Sequence, residues 1–242
     1  MPVEIEGRKY LDPVILQPIP FQIDLRSLEK KLRLKEGSPY LQDLISLVEG
    51  AQRVAKPKAL YRPAFIDQKG EEDVVVEGVR LKSRVLRVNL EKAQRVFVYV
   101  VTCGMELEEW AHNIEDVLMR FWAETINEMA MRHAHAIMEE HLTDHFRPGK
   151  LSKMSPGSLA DWPLQEQLPL FTILGNTGKM IGVHLTESLL MIPTKSISGI
   201  RFPTEESFES CELCPRQDCP NRRAFYDPGL YERKYRNQPE GE

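Results

Sequence analysis

The spacing of apolar residues changes along the chain, and the first regular pattern follows Ser38-Pro39. Apolar residues then recur three and four positions apart, which predicts an amphipathic helix that Ser38 caps and Pro39 begins. The stripe consists of Leu41, Leu44, Ile45, Leu47, Val48 and Ala51. The preceding residues, 1–22, hold four prolines and are predicted to form an extended arm.

Between Tyr61 and Val101 the pattern shortens to partial alternation of β-branched residues, which predicts strands. The strand-forming positions are Val74, Val75, Val76, Val85, Val88, Val96, Val98 and Val100. Helical stripes return over 104–119 and 121–143, and Arg147-Pro148-Gly149 ends the second of them.

After the two helical stripes, the sequence predicts a short helix followed by two strands. The helix is predicted from Pro163 to Leu174, and the strands over Ile181–Ile192 and Ser196–Phe202. Because strands and helices are grouped rather than strictly alternating, the order predicts an α+β fold and not repeated βαβ units. We divide the chain into an arm (1–37), an α+β domain (38–205) and a C-terminal extension (206–242).

Composition narrows the class of partner. The 242 residues carry 32 basic and 36 acidic side chains, for a net charge of −4, so no basic surplus favours nucleic acid. The N-terminus lacks a basic region followed by an apolar run, and no apolar stretch approaches the ~20 residues of a membrane span. We therefore expect a cytoplasmic protein that binds neither nucleic acid nor membrane.

Three of the four cysteines lie close together, in the spacing Cys211-x2-Cys214-x4-Cys219. Thiolates at such spacing suit zinc or an iron–sulfur cluster, and in a reducing compartment they rarely form structural disulfides. A fourth ligand would be Cys103, a histidine or an exogenous group. The alternative is that these are reduced thiols in a loop.

Two other patterns have plain structural explanations. His141 and His145 are four residues apart on one helix, as metal ligands often are, but a solvated helical face is the simpler interpretation. The segment Gly175–Lys179 lacks the spacing of a phosphate-binding loop and is interpreted as the turn that ends a helix. No nucleophile and base are paired in the sequence, so we predict no catalytic residue.

Small hydroxyl residues and glycine punctuate the two final strands. Leu185-Thr186-Glu187-Ser188 precedes Met191 and Pro193, and Ser196-Ile197-Ser198-Gly199 follows. Together with the loop Ser155-Pro156-Gly157, they could admit a polar ligand against backbone amides, or the hydroxyl groups could simply face water.

In this order and at this spacing, the segments resemble the activation (reactivation) domain of cobalamin-dependent methionine synthase, best over about residues 120–202. That family has an R-x-x-P-G-Y loop and an L-T-E-S…M-x-P…S-V-S-G hairpin. The resemblance implies a twisted antiparallel sheet with flanking helices. It also implies that the domain binds S-adenosylmethionine and presents it to an oxidised corrinoid, while an outside donor supplies the electron.

The resemblance also implies a set of ligand-binding residues. Lys153 stands where the family has Arg, Ser158 stands where it has Tyr, and Glu128 is the counterpart of a helical glutamate. The implied set is Lys153, Ser155, Pro156, Gly157, Ser158, Glu128, Glu187, Ser198 and Gly199.

On this basis we expect an accessory protein of methionine biosynthesis. Its partner would be a corrinoid protein, or a methionine synthase without its own activation domain. The cysteine extension lies outside the family's domain, and a cluster there could pass an electron to cobalt. Two alternatives stay open: a docking module that binds a corrinoid protein without nucleotide, and an iron–sulfur or zinc electron-transfer protein.

Overall fold

The computed structural model describes residues 4–5, 8–9, 11–35 and 37–236. The strands are β1 (Glu4–Ile5), β2 (Arg8–Lys9), β3 (Val14–Leu16), β4 (Lys58–Lys69), β5 (Asp73–Val76), β6 (Val79–Lys82), β7 (Arg95–Thr102), β8 (Leu151–Met154), β9 (His184–Leu185), β10 (Met191–Ile192) and β11 (Ser196–Pro203). The helices are α1 (Leu25–Leu32), α2 (Leu41–Val54), α3 (Arg84–Asn89), α4 (Met105–His112), α5 (Val117–Phe146), α6 (Gln167–Leu174) and α7 (Thr177–Ile181).

Seven strands form one antiparallel sheet in the order β6-β5-β4-β7-β11-β8, with β3 paired to the start of β4. Its central strand, β7, is buried from Val96 to Thr102, as expected for a strand with neighbours on both sides and packing on both faces. The strand β8 lies at one edge of the sheet, next to β11.

The alternation along β7 builds two cores. Val96, Val98 and Val100 pack on one face with Trp162 and Phe202, where α3, α6 and α7 lie. Phe97 and Tyr99 point to the opposite face and pack against the 30-residue helix α5. Because side chains alternate, the polar residues of β8 and β11 that share the Tyr99 face must lie beneath α5.

The strand predicted around Val85 and Val88 is wrong, because the chain forms α3 there. The hydroxyl oxygen of Ser83 accepts a hydrogen bond from the amide of Leu86 (2.9 Å) and caps the helix. Ser38 does not cap α2: its side chain accepts from the amide of Tyr40 (3.4 Å), and the helix begins only at Leu41.

Two other boundaries also differ from the prediction. The helix expected over 104–119 ends at His112, and Asp116 caps α5 by accepting from the amide of Met119 (2.8 Å). The strand expected over Ile181–Ile192 is wrong as a continuous strand. It consists of the end of α7 and a short β9–β10 hairpin whose turn includes Leu189 at φ +65°.

The N-terminal region contributes β3 and α1, the second of which the pattern did not predict. The domain boundaries proposed at residues 37 and 205 stay predictions. Within the described ranges, no helix combines the length and the apolar character needed to cross a bilayer.

Candidate ligand site at the sheet edge

The residues after β8 form a tight turn, which we call the Ser155 turn (residues 155–158). The amide and the hydroxyl of Ser158 both donate to the carbonyl of Ser155, at 3.1 and 2.6 Å. The amide of Gly157 donates to the carbonyl of Trp162 (2.8 Å), and Gly157 adopts φ +79°. The sequence allowed a polar ligand to bind backbone amides of this turn. In the structure, however, the amides of Gly157 and Ser158 are both engaged within the fold.

Gly199 lets this turn approach the sheet. A Cβ at this position would lie 2.5 Å from the carbonyl oxygen of Met154, 2.7 Å from the Ser155 hydroxyl oxygen and 3.0 Å from the Tyr99 hydroxyl oxygen. The glycine is thus required for close contact between β11, the end of β8 and the Ser155 turn.

Lys153 is half-buried and lies opposite Arg201 in the pairing of β8 with β11. Burial lowers the pKa of Lys153, and Arg223 and Arg132 act in the same direction, while Glu209 opposes them. Within the described part of the chain, no carboxylate lies within 4 Å of its ammonium, and no hydrogen bond satisfies it. An unpaired, half-buried ammonium favours an anionic ligand.

Ser198 connects the sheet to the hairpin. Its hydroxyl donates to Oε1 of Gln167 (2.5 Å), and Nε2 of Gln167 donates to the carbonyl of Leu189 (2.8 Å). Both polar side chains are buried, so these two hydrogen bonds hold the turn of the β9–β10 hairpin against the sheet. Glu187 lies in that turn and is exposed.

Glu128 lies on α5 and accepts a hydrogen bond from Nε of Arg132 (2.7 Å), with Lys31 at 3.9 Å. Burial alone would raise the pKa of Glu128, but the bond and the charge of Arg132 outweigh it and lower the pKa. The carboxylate is therefore ionised and shared between two cations.

A partly buried polar group near Lys153 was not predicted from the sequence. His135 on α5 lies 5.5 Å from the Tyr99 ring, centroid to centroid, and its Nε2 is 3.3 Å from Oε1 of Glu139, which also pairs with Arg201. Burial, reinforced by nearby cations, lowers the pKa of His135 to about 3, so the ring is neutral at ordinary pH. The one sequence signal was Arg201, a charged residue between apolar neighbours of a strand.

The pair His141 and His145 forms no metal site in the described part of the chain. The rings stack at 4.9 Å, and Nδ1 of His141 hydrogen-bonds the Tyr61 hydroxyl (2.8 Å). Burial raises the pKa of Tyr61 to about 12, so this hydroxyl stays protonated.

The C-terminal segment (residues 206–236) packs against the same sheet edge. Its three cysteines are partly exposed free thiols; Cys211 lies within a short 3-10 turn over Ser210–Leu213, and Cys214 directly follows it. The guanidinium of Arg222 donates to the carbonyls of Cys211 and Cys214, both at 3.1 Å. Arg222 thereby holds the cysteine loop closed.

Cys103 follows β7 and is completely buried in a third core cluster formed with α1, α2, α4 and α5. Burial, then the charges of Glu108 and Glu124, raises the pKa of Cys103 to about 12. Across residues 11–35 and 37–236, no three His, Cys, Asp or Glu side chains are grouped as a metal site. The proposed set Cys211, Cys214, Cys219 and Cys103 is therefore not assembled here.

An open groove of about 730 Å³ lies elsewhere, between α2, α4 and the start of α5. Trp110, Tyr40 and Met119 line it together with Asp43 and Arg53. No residue that the sequence marked for a ligand or a metal borders this groove.

The fold and the site together define an α+β domain with an antiparallel sheet and a cationic edge site beside a Pro-Gly turn. No family model matches the sequence, and no curated protein is similar to it in sequence. The fold does resemble that of a solved structure, the MetH reactivation domain bound to AdoHcy. The TM-score is 0.61 at 13% identity, over 83% of this chain and 81% of that chain. The activation-domain-like fold predicted from the loop and hairpin motifs is thereby confirmed.

Proposed function

We propose that this chain binds S-adenosylmethionine and supports reductive reactivation of a corrinoid held by a partner protein. The observation that carries the proposal is Lys153, an unpaired and half-buried ammonium two residues before Ser155. The likeness of the fold to a domain bound to AdoHcy supports the same ligand class. The partner would be a methionine synthase without its own reactivation domain, or another corrinoid protein.

The residues present fit a ligand that carries an amino-acid carboxylate. Lys153 would pair with the carboxylate, while the Ser155 turn, held against Gly199, would border the ligand. Bound S-adenosylmethionine supplies a sulfonium methyl group to the corrinoid, which an outside donor reduces by one electron. The chain's part is to bind and orient the methyl donor, and that task requires no nucleophile or base.

Titration calorimetry with S-adenosylhomocysteine tests the proposal. We expect the wild-type chain to bind, and Lys153→Met to weaken binding about tenfold or more, since a hydrogen bond to a charged group contributes about 1.5–3 kcal/mol. Lys150→Met is the matched control, because Lys150 is exposed just before β8. Absence of binding by the wild-type chain at millimolar ligand would refute the proposal.

That negative result would favour the alternative of a docking module that binds a corrinoid protein without nucleotide. The electron-transfer alternative rests on the three cysteines of the C-terminal segment, which are free thiols. Within the described residues the side chains do not form a metal site as they stand, so we route no electron through them. An iron–sulfur or zinc site there stays a prediction.

A further inference from the structure

Four cations from four different elements converge beneath and beside α5. They are Arg132 on α5, Lys153 on β8, Arg201 on β11 and Arg223 in the C-terminal segment. Arg201 lies opposite Lys153 in the strand pairing, and Arg132 contacts Asn221, two residues before Arg223. All four also help to lower the pKa of His135.

Three of the four have a carboxylate partner. Arg201 pairs with Glu139, Arg132 with Glu128 at 2.7 Å, and Arg223 with Glu209 at 2.7 Å. Lys153 is the remaining cation, and the neutral ring of His135 adds no charge. Within the described residues, Lys153 is therefore the member of this cluster that has no carboxylate within 4 Å, and Glu128 is shared with Lys31 as well.

The C-terminal segment brings Arg223 to this cluster by bridging two of its elements. The amide of Phe208 donates to the hydroxyl oxygen of Ser152 on β8 (2.9 Å). Farther along, Oδ1 of Asn221 accepts from Arg132 on α5 (3.4 Å). Close to the second anchor, the amide of Arg223 donates to the sulfur of Cys211 (3.4 Å). The backbone of Arg223 is thus fixed, while about half of its side chain is exposed to solvent.

We propose that Arg223 is a second ligand-binding cation, so that the C-terminal segment completes the site and Arg223 and Lys153 together hold the ligand's carboxylate. The inference rests on the proposed function and names the group of the ligand that is selected. Arg223 can offer two parallel N–H donors to a carboxylate, whereas Lys153 offers a point charge. Without ligand, one donor of this fork, Nε, is bound to Oε2 of Glu209 (2.7 Å).

The consequence is selectivity for adenosyl ligands that retain the amino-acid carboxylate. S-adenosylhomocysteine has this group, whereas 5′-methylthioadenosine has the same nucleoside thioether but lacks the whole amino-acid moiety, its carboxylate and its ammonium. Loss of Arg223 should therefore affect binding of the first ligand and leave binding of the second unchanged.

Calorimetry with both ligands tests this on the full chain. We expect Arg223→Ala to weaken binding of S-adenosylhomocysteine about tenfold and not to change binding of 5′-methylthioadenosine. Arg223→Lys, which keeps the charge and the fold but removes the fork, should fall between. Arg216→Ala is the matched control, since Arg216 is an exposed residue of the same segment.

Each result has a defined meaning. If the wild-type chain binds both ligands equally, or if Arg223→Ala weakens both ligands equally or neither, the role of Arg223 is refuted while adenosyl binding stands. If the wild-type chain binds neither ligand, the proposed function itself fails.

Discussion

Gly199 offers the sharpest test of how the site is built, because the structure shows what an added methyl group would meet. In Gly199→Ala the new Cβ would lie 2.5 Å from the Met154 carbonyl oxygen. That oxygen belongs to the backbone of β8, so it cannot rotate away as the Ser155 hydroxyl can. Relief requires β8 to move away from β11, with the Ser155 turn attached to it.

Overpacking of this kind costs about 1–3 kcal/mol, and we expect the free energy of unfolding to fall by that amount. Urea denaturation followed by circular dichroism measures it. The matched control is Gly178→Ala, where the nearest atom would be 3.6 Å away and the residue lies in α7, so stability should stay the same or rise slightly. A decrease in Gly199→Ala below about 0.5 kcal/mol would contradict the close approach described here.

The other predictions concern pH and the thiols. His135 has its pKa lowered by burial to about 3 from 6.5, so the unfolded chain binds more protons between these values. The wild-type fold should therefore become less stable as the pH falls below about 6.5. Urea titrations at pH 5 and pH 7.5 should show a smaller loss of unfolding free energy for His135→Gln than for the wild type. An equal loss in both proteins would refute a neutral histidine in the fold. Anaerobic reconstitution with iron and sulfide should give an iron–sulfur spectrum that Cys211→Ser/Cys214→Ser abolishes, if the cysteines form a cluster. An unchanged spectrum in that variant, or none in the wild type, would reject the cluster.

The local sequence pattern correctly predicted the elements in which the apolar pattern is long and regular. The helix α5 and the strand β7 followed directly from their apolar spacing, because both bury a continuous stripe or run of side chains. The failure at α3 has a local cause as well: Val85 and Val88 favour strands, but the Ser83 cap and burial of Leu86 stabilise a helix. Tertiary packing outweighed β propensity there.

The site shows a different limit. Lys153 and Gly199 came from the motifs, whereas His135 and Arg223 did not, since neither belongs to a recognisable spacing. Their roles depend on which face of the sheet α5 covers and on where the C-terminal segment returns. The one sequence feature that pointed to this cluster was Arg201, a charged residue within an apolar strand. Its ion-pair partner, Glu139, lies far away in the sequence, so the pair could be identified only in the structure.

The presence of Lys153 where the methionine synthase family has Arg is consistent with this arrangement. Arg201 lies directly opposite position 153, and Arg223 approaches from the C-terminal segment. A guanidinium at 153 would add a third bulky, permanently charged group to that space. The ammonium of a lysine is more compact than a guanidinium and leaves more room for these two neighbours. On our proposal Arg223 supplies the bidentate contact to a carboxylate that a lysine at position 153 cannot make.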